Sequence, residues 1–269
     1  MTPSRTSQAV AVTRAGFARS HSPAGDPDAQ RRLCAGMRAP VLGHLEASLE
    51  ARTIFFDGQV VEAISSGVRQ IVILGAGYDD RALRFRTPGV RFFEVDHPNT
   101  QQDKRSRLAK LPQAGLAGPV LVAADFRVDA LPEVLAAAGH DRAEATLFLC
   151  EGLLVYLDEQ ATIGLLDGAL AAAGPGSSLA ASLAVHADGL DSAEVLAVAN
   201  ARRRTAEAEP WLTILPADAQ VALLSRAGWR VTTSVDAADL GTGAEPGRSL
   251  LVTSQCSPGG LPPEPPAAS

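Results

Sequence analysis

Residues Gln70-Ile71-Val72-Ile73-Leu74-Gly75-Ala76-Gly77, followed by Phe92-Phe93-Glu94-Val95-Asp96, decide the fold of this chain. A short run that is apolar and largely β-branched at every position predicts a strand buried on both faces, as in a parallel sheet. The two glycines at its end let the backbone turn sharply and approach a ligand. The second run reads as the next parallel strand. Its last residue, Asp96, stands roughly twenty positions beyond Gly75, the spacing at which a carboxylate meets the ribose of a bound nucleoside.

Outward from this core, strand-like runs alternate with helix-like ones. The strand-like runs cover 70–74, 91–95, 119–123, 146–150, 178–185, 230–235 and 249–253. Between them Asp129 precedes a helical pattern through Leu131, Pro132 and Leu135 that stops at Gly139. Asp158 caps another, with Ile163, Leu166 and Leu170 at helical spacing before Gly174-Pro175. This order predicts an α/β fold: a seven-stranded, doubly wound, mostly parallel sheet with helices on both faces and its ligand at the carboxyl ends of the first strands. The short link between the last two runs predicts an antiparallel finish. Residues 41–67 read as helical, with Leu42, Leu45 and Leu49 on one face, and 186–216 as a polar insertion with a helical middle and a rim at Glu209-Pro210-Trp211. Both are candidate lids over the open end of the sheet. Residues 1–30 and 257–269 lack sustained periodicity and are expected to be mobile, leaving one domain over 31–256.

Composition narrows the function. With 269 residues, 46% of them hydrophobic, the chain can bury a full α/β core. A net charge of −6 argues against a nucleic-acid partner, and Arg202-Arg203-Arg204 reads as a solvated helix face. No apolar run reaches the roughly 18 residues of a membrane span, and the start of the chain lacks a signal-peptide core, so a cytoplasmic protein is expected. Cys34, Cys150 and Cys256 are odd in number and far apart, which indicates neither a disulfide framework nor a zinc site; Cys150, inside a strand-like run, reads as a core thiol. No metal is expected, and the oligomeric state is left open.

A dinucleotide fingerprint requires a third glycine five residues after the first, where this chain has Asp80. NAD is therefore disfavoured. Spacing alone leaves S-adenosylmethionine and other nucleoside cofactors open.

Five ordered motifs go further. Glu50-Ala51-Arg52-Thr53, the segment from Gln70 through Gly75-Ala76-Gly77-Tyr78-Asp79, Phe93-Glu94-Val95-Asp96-His97-Pro98, Ala124-Asp125-Phe126-Arg127 and Glu151-Gly152-Leu153-Leu154-Val155-Tyr156-Leu157 together resemble the leucine carboxyl methyltransferase family. The resemblance is nearest to its bacterial branch, which includes O-methyltransferases of polyketide biosynthesis, and it spans about residues 40 to 255. It implies a class I methyltransferase fold with S-adenosyl-L-methionine as methyl donor.

The resemblance also implies roles. Arg52 would grip the cofactor's methionyl carboxylate, for which a planar guanidinium is suited. Gly75 and Gly77 would let the chain pass close to the cofactor, and Asp96, rather than the competing Glu94, would accept from the ribose hydroxyls. Asp125 and Phe126 would read adenine, and Glu151 would sit beside the sulfonium and amino group. Arg127 would hold the substrate's carboxylate, with Tyr156 lining the pocket. A carboxylic acid, with a pKa near ~4, is already a nucleophilic anion at neutral pH, whereas a phenol near ~10 needs a base. Of the histidines, His44 and His140 fall on expected surface, His97 lies in a slot that varies across the family, and His186 is the plausible base. The expected activity is esterification of a small-molecule acid of polyketide type. Methylation of a phenol or enol hydroxyl, or cofactor binding without chemistry, are the alternatives.

Overall fold

The computed structural model describes residues 3–111, 117–202 and 209–256. Its strands are β1 (Gln70–Leu74), β2 (Arg91–Asp96), β3 (Val120–Ala123), β4 (Thr146–Cys150), β5 (Ser178–His186), β6 (Leu215–Pro216), β7 (Trp229–Asp236) and β8 (Ser249–Cys256). The helices are α1 (Arg5–Arg14), α2 (Ala29–Leu33), α3 (Glu46–Ser65), α4 (Arg81–Arg84), α5 (Pro98–Leu108), α6 (Leu131–Ala137), α7 (Glu159–Ala172), α8 (Ser192–Arg202) and α9 (Ala217–Arg226). All seven expected runs form strands. The additional β6 is a two-residue pairing beside β5, too short to leave a pattern in the sequence.

The strands lie in the order β3-β2-β1-β4-β5-β8-β7. The first five are parallel, and β8 runs antiparallel to both its neighbours. Alternation divides the side chains between two apolar layers. Val72, Leu74, Phe93 and Phe148 face α6, α7 and α9. Ile71, Ile73, Leu147 and Leu149 face Phe56 and Val60 of α3. Both faces are covered, which explains the unbroken apolar runs. Each fully buried side chain of this kind contributes about 1.5–3 kcal/mol. Cys150 is a core thiol as expected, its pKa pushed up to about 12 by burial.

Three expectations are corrected. The first thirty residues are not featureless: they carry α1, which buries Ala9, Ala11, Thr13 and Arg14, and the start of α2. Small and polar buried residues give no apolar stripe, so composition could not reveal this helix. Helix α3 begins only at Glu46, later than expected, and packs on a face of the sheet through Phe56 and Val60 while its Arg52 reaches Glu151 just beyond β4. His140 also departs from its expected surface place. It is buried between Phe93 and Phe148, with Nε2 2.9 Å from Thr146 Oγ1.

In the 186–216 insertion, α8 supplies the expected helical middle, and residues 203–208, Arg203 and Arg204 among them, lie outside the described residues, as does the 257–269 tail. The insertion is tied to the segment after β4: Leu212 N donates to Val155 O at 2.7 Å, and Thr213 Oγ1 to Leu157 O at 2.6 Å. Among the described residues no helix is long and apolar enough to cross a membrane.

Candidate functional site

Strand order reverses between β1 and β4, so their carboxyl ends form the crevice in which an open α/β sheet binds its ligand. Gly75 and Gly77 end β1 in left-handed conformations, φ +63° and +50°, that residues with a Cβ rarely adopt. Asp96 ends β2, and its carboxylate accepts from Gly77 N at 2.6 Å and His97 N at 2.7 Å. Burial raises its pKa against these two bonds. Each oxygen accepts one backbone N–H and keeps a further lone pair, so a pair of hydroxyls can still donate to it. The glycines' close approach is in part to protein. A Cβ on Gly77 would lie 2.9 Å from Ser7 Cβ of α1, and one on Gly75 3.0 Å from Leu153 Cδ1.

The tip of β4 carries Glu151, surrounded by arginines. Its Oε1 accepts from Arg14 and from Arg52 Nε, the latter at 3.0 Å, and its Oε2 from Arg81 Nη1 at 2.9 Å. Arg81 also reaches Asp57 at 2.8 Å and Asp79 at 2.5 Å. Arg84 binds Asp57 and Asp80, and Arg19 binds Asp80. The network joins arginines 14, 19, 52, 81 and 84 to carboxylates 57, 79, 80 and 151, leaving one positive charge in excess among the described residues. Arg14 Nε and Arg19 Nε are buried without an acceptor. Glu151, expected beside an ammonium group, has both oxygens taken by guanidiniums. Sequence reasoning missed Arg14, Arg81 and Gly152. A Cβ on Gly152 would lie 2.7 Å from Arg52 Nη2, so glycine there makes room for that arginine.

Burial alone would raise the pKa of Glu151, but Arg14, Arg81 and Arg52 outweigh it and hold the group at about 2. Asp79 is lowered in the same way by Arg81 and Arg14 against its burial. A carboxylate with a depressed folded-state pKa stabilises the fold above its ordinary value, and the contribution is lost as pH falls through the folded value. The melting temperature should therefore drop between pH 4.5, the ordinary value of Glu151, and about 2. Glu151→Gln should flatten that slope in a circular-dichroism series, and an unchanged slope would exclude Glu151 as its source.

The other expected residues lie along the same edge. Asp125 follows β3, and its Oδ1 accepts from Arg127 N at 3.0 Å while its own N–H donates to Asp129. Phe126 packs half-buried against the core, and Arg127 is exposed. Tyr156 is half-buried in a 3-10 turn, Leu154–Tyr156, beyond Glu151. His186 is buried at the tip of β5, with Nδ1 2.9 Å from Ala187 O and Nε2 2.7 Å from Ser192 Oγ. A carbonyl only accepts, so neutral His186 donates from Nδ1 and its Nε2 takes the Ser192 hydroxyl. Both ring nitrogens are thus engaged within the protein. A groove of about 520 Å³ lies away from this edge, between residues 17–20 and α3, with Phe17, Ile54 and Val61 on its walls. Its one deep carboxylate, Asp57, is already bound by Arg81 and Arg84, so it offers no nucleoside seat.

Residues 9–169 match the model of the family described as leucine carboxyl methyltransferase. The chain belongs to the leucine carboxyl methyltransferase family. The match begins within α1 and covers β1 to β4, the part of this family member that holds Arg14, Arg52, Asp96, Asp125 and Glu151. A Streptomyces avermitilis protein named "Putative S-adenosyl-L-methionine-dependent methyltransferase" is 36% identical over 223 residues, 81% of this chain and 72% of its own length. A Frankia alni protein of the same name is 45% identical over 130 residues, 47% of this chain. The chain spans about half the length of that relative, 45%. The crystal structure of "a putative methyltransferase from Thermobifida fusca YX" superposes with a TM-score of 0.61 over 96% of both chains at 18% identity, which shows a shared fold. The expectation of S-adenosyl-L-methionine as cofactor agrees with these names. The site fits that group in its chemistry: Asp96 offers a two-oxygen acceptor suited to a pair of ribose hydroxyls, and the arginine cluster a surplus positive charge suited to a carboxylate.

Proposed function

We propose that this chain is an S-adenosyl-L-methionine-dependent O-methyltransferase that esterifies the carboxylate of a small molecule, of the polyketide type. The observation that carries the reading is Asp96 on the Gly77 N–H, beside an arginine cluster with one positive charge in excess. Asp96 would accept from the ribose hydroxyls, Asp125 from the adenine amine, and Arg52 with Arg14 would hold the methionyl carboxylate. When bound, the cofactor supplies an electrophilic methyl group on its sulfonium. Arg127, exposed at the tip of β3, would aim the acceptor's carboxylate, and Tyr156 would line its path. Alignment of nucleophile and methyl contributes up to ~7–11 kcal/mol in ideal cases.

An acid acceptor needs no base, and this agrees with His186, whose ring nitrogens are engaged by Ala187 and Ser192. The test is incubation with methyl-labelled donor and aromatic polyketide acids. Label should appear as a base-labile ester; a base-stable ether would refute the carboxylate assignment. Arg127→Ala should raise KM for the acid more than it changes cofactor affinity, and equal loss of both would remove Arg127 from the acceptor site.

A further inference from the structure

Lys104 and Glu94 form a buried ion pair that the proposed reaction does not use. Both side chains are essentially inaccessible, and Lys104 Nζ lies 2.5 Å from Glu94 Oε2. The same Nζ donates to the backbone carbonyl of Asp79 at 2.7 Å, where the glycine turn ends. Glu94 is on β2, two residues before Asp96, and strand alternation puts the two carboxylates on one face. One ammonium thus ties the glycine turn to the strand that presents Asp96. The other ties between them are Gly77 N to Asp96 Oδ2 and Ala76 N to Val95 O.

Two buried ions are costly unless something specific is gained. The pair is also incompletely satisfied: neither Glu94 oxygen makes a well-aligned hydrogen bond, and Gln101 Oε1 has no donor. We infer that Lys104 and Glu94 are positioning residues for the cofactor, with the ionised pair holding the glycine turn at the distance from Asp96 that the ribose requires. This rests on the reading of Asp96 as the ribose ligand.

The pair is sensitive to protons. Burial raises the Glu94 carboxyl to about 7, against the pull of Lys104, and Asp79 and Asp96 push it the same way. These are the charged groups that face it: Lys104 from α5, Asp79 from the turn, and Asp96 from its own strand. Its partners across the sheet, Ile73 on β1 and Leu121 on β3, are apolar. Below neutrality Glu94 is protonated and the ion pair is lost; above it the pair forms and the turn is fixed.

The test is calorimetric titration of the full chain with S-adenosylhomocysteine from pH 6 to pH 8. Wild type should bind roughly fivefold more tightly at pH 8, the low end of typical coupling between sites. Glu94→Gln, an isostere of the protonated form, should bind at the weaker level throughout, with no slope. A variant that keeps the wild-type slope, or a wild type that binds more tightly at pH 6, overturns the inference and leaves the cofactor reading standing. No binding by wild type at any pH overturns both. If Glu94→Gln does not fold, wild-type titrations near pH 7 in buffers of different ionisation heat decide. Proton release on binding supports the pair's role, and none or uptake contradicts it.

Discussion

Asp96→Ala is expected to weaken binding of S-adenosylhomocysteine by at least ~100-fold while leaving the fold intact. A hydrogen bond to a charged group contributes about 1.5–3 kcal/mol, and two ribose hydroxyls would donate to this carboxylate. Each ~1.4 kcal/mol is a factor of ten in affinity, so even the lower bound gives two decades. The fold should tolerate the change, because a carboxylate whose pKa burial has raised is not a strong source of stability at neutral pH. The backbone N–H groups of Gly77 and His97 lose an acceptor, a cost of about 1–3 kcal/mol each if water does not reach them. Calorimetric titration reports the affinity and far-ultraviolet circular dichroism the fold. An affinity within threefold of wild type, measured on folded protein, would remove Asp96 from the cofactor site.

The second large effect concerns stability. Arg81→Met is expected to destabilise the protein by ~3–5 kcal/mol, the range seen when one partner of a buried ion pair is removed. Arg81 is 2% exposed and binds Asp57, Asp79 and Glu151 together, with its guanidinium 5.6 Å from the Phe56 ring centre. Methionine fills much of the same space, so the loss reports charge compensation more than packing. Three carboxylates would then share fewer cations in a medium that penalises bare charge. For a chain of this size the melting temperature should fall by on the order of 10 °C. The exposed pair Arg31 with Asp28 is the control, since such pairs contribute about 0–1 kcal/mol. A melt of Arg81→Met no lower than that of Arg31→Ala would show the network to be worth little.

The strands were legible in the sequence because both faces of the sheet are covered. Ile71 to Leu74 and Leu147 to Cys150 must be apolar at every position, and no other element type of that length demands this. Asp96 was legible through its spacing from Gly75, and the structure places it on the N–H of the same turn. Helix α1 was not legible, because it buries Ala9, Ala11 and Thr13, whose short side chains leave no amphipathic signature. Arg14 went unnoticed for the same reason, although it shares Glu151 with Arg52.

Asp79, Asp80 and Arg81 are three charged residues in a row, yet all three are buried. Periodicity ranks charged residues as exposed and cannot see that they pair with one another across the chain. One signal was available: of the chain's basic residues all but Lys104 and Lys110 are arginine. A guanidinium can satisfy several carboxylates in a dry network, which an ammonium does less well. The exceptional lysine, Lys104, turns out to be buried against Glu94, the carboxylate that spacing could not separate from Asp96.

A crystal structure of the full chain with S-adenosylhomocysteine would test the central claim directly. The ribose hydroxyls should lie within hydrogen-bonding distance of the two Asp96 oxygens, with the amino-acid carboxylate on Arg52 and Arg14 at the tips of β1 and β4. A nucleoside bound elsewhere, with Asp96 still facing only Gly77 and His97, would contradict it.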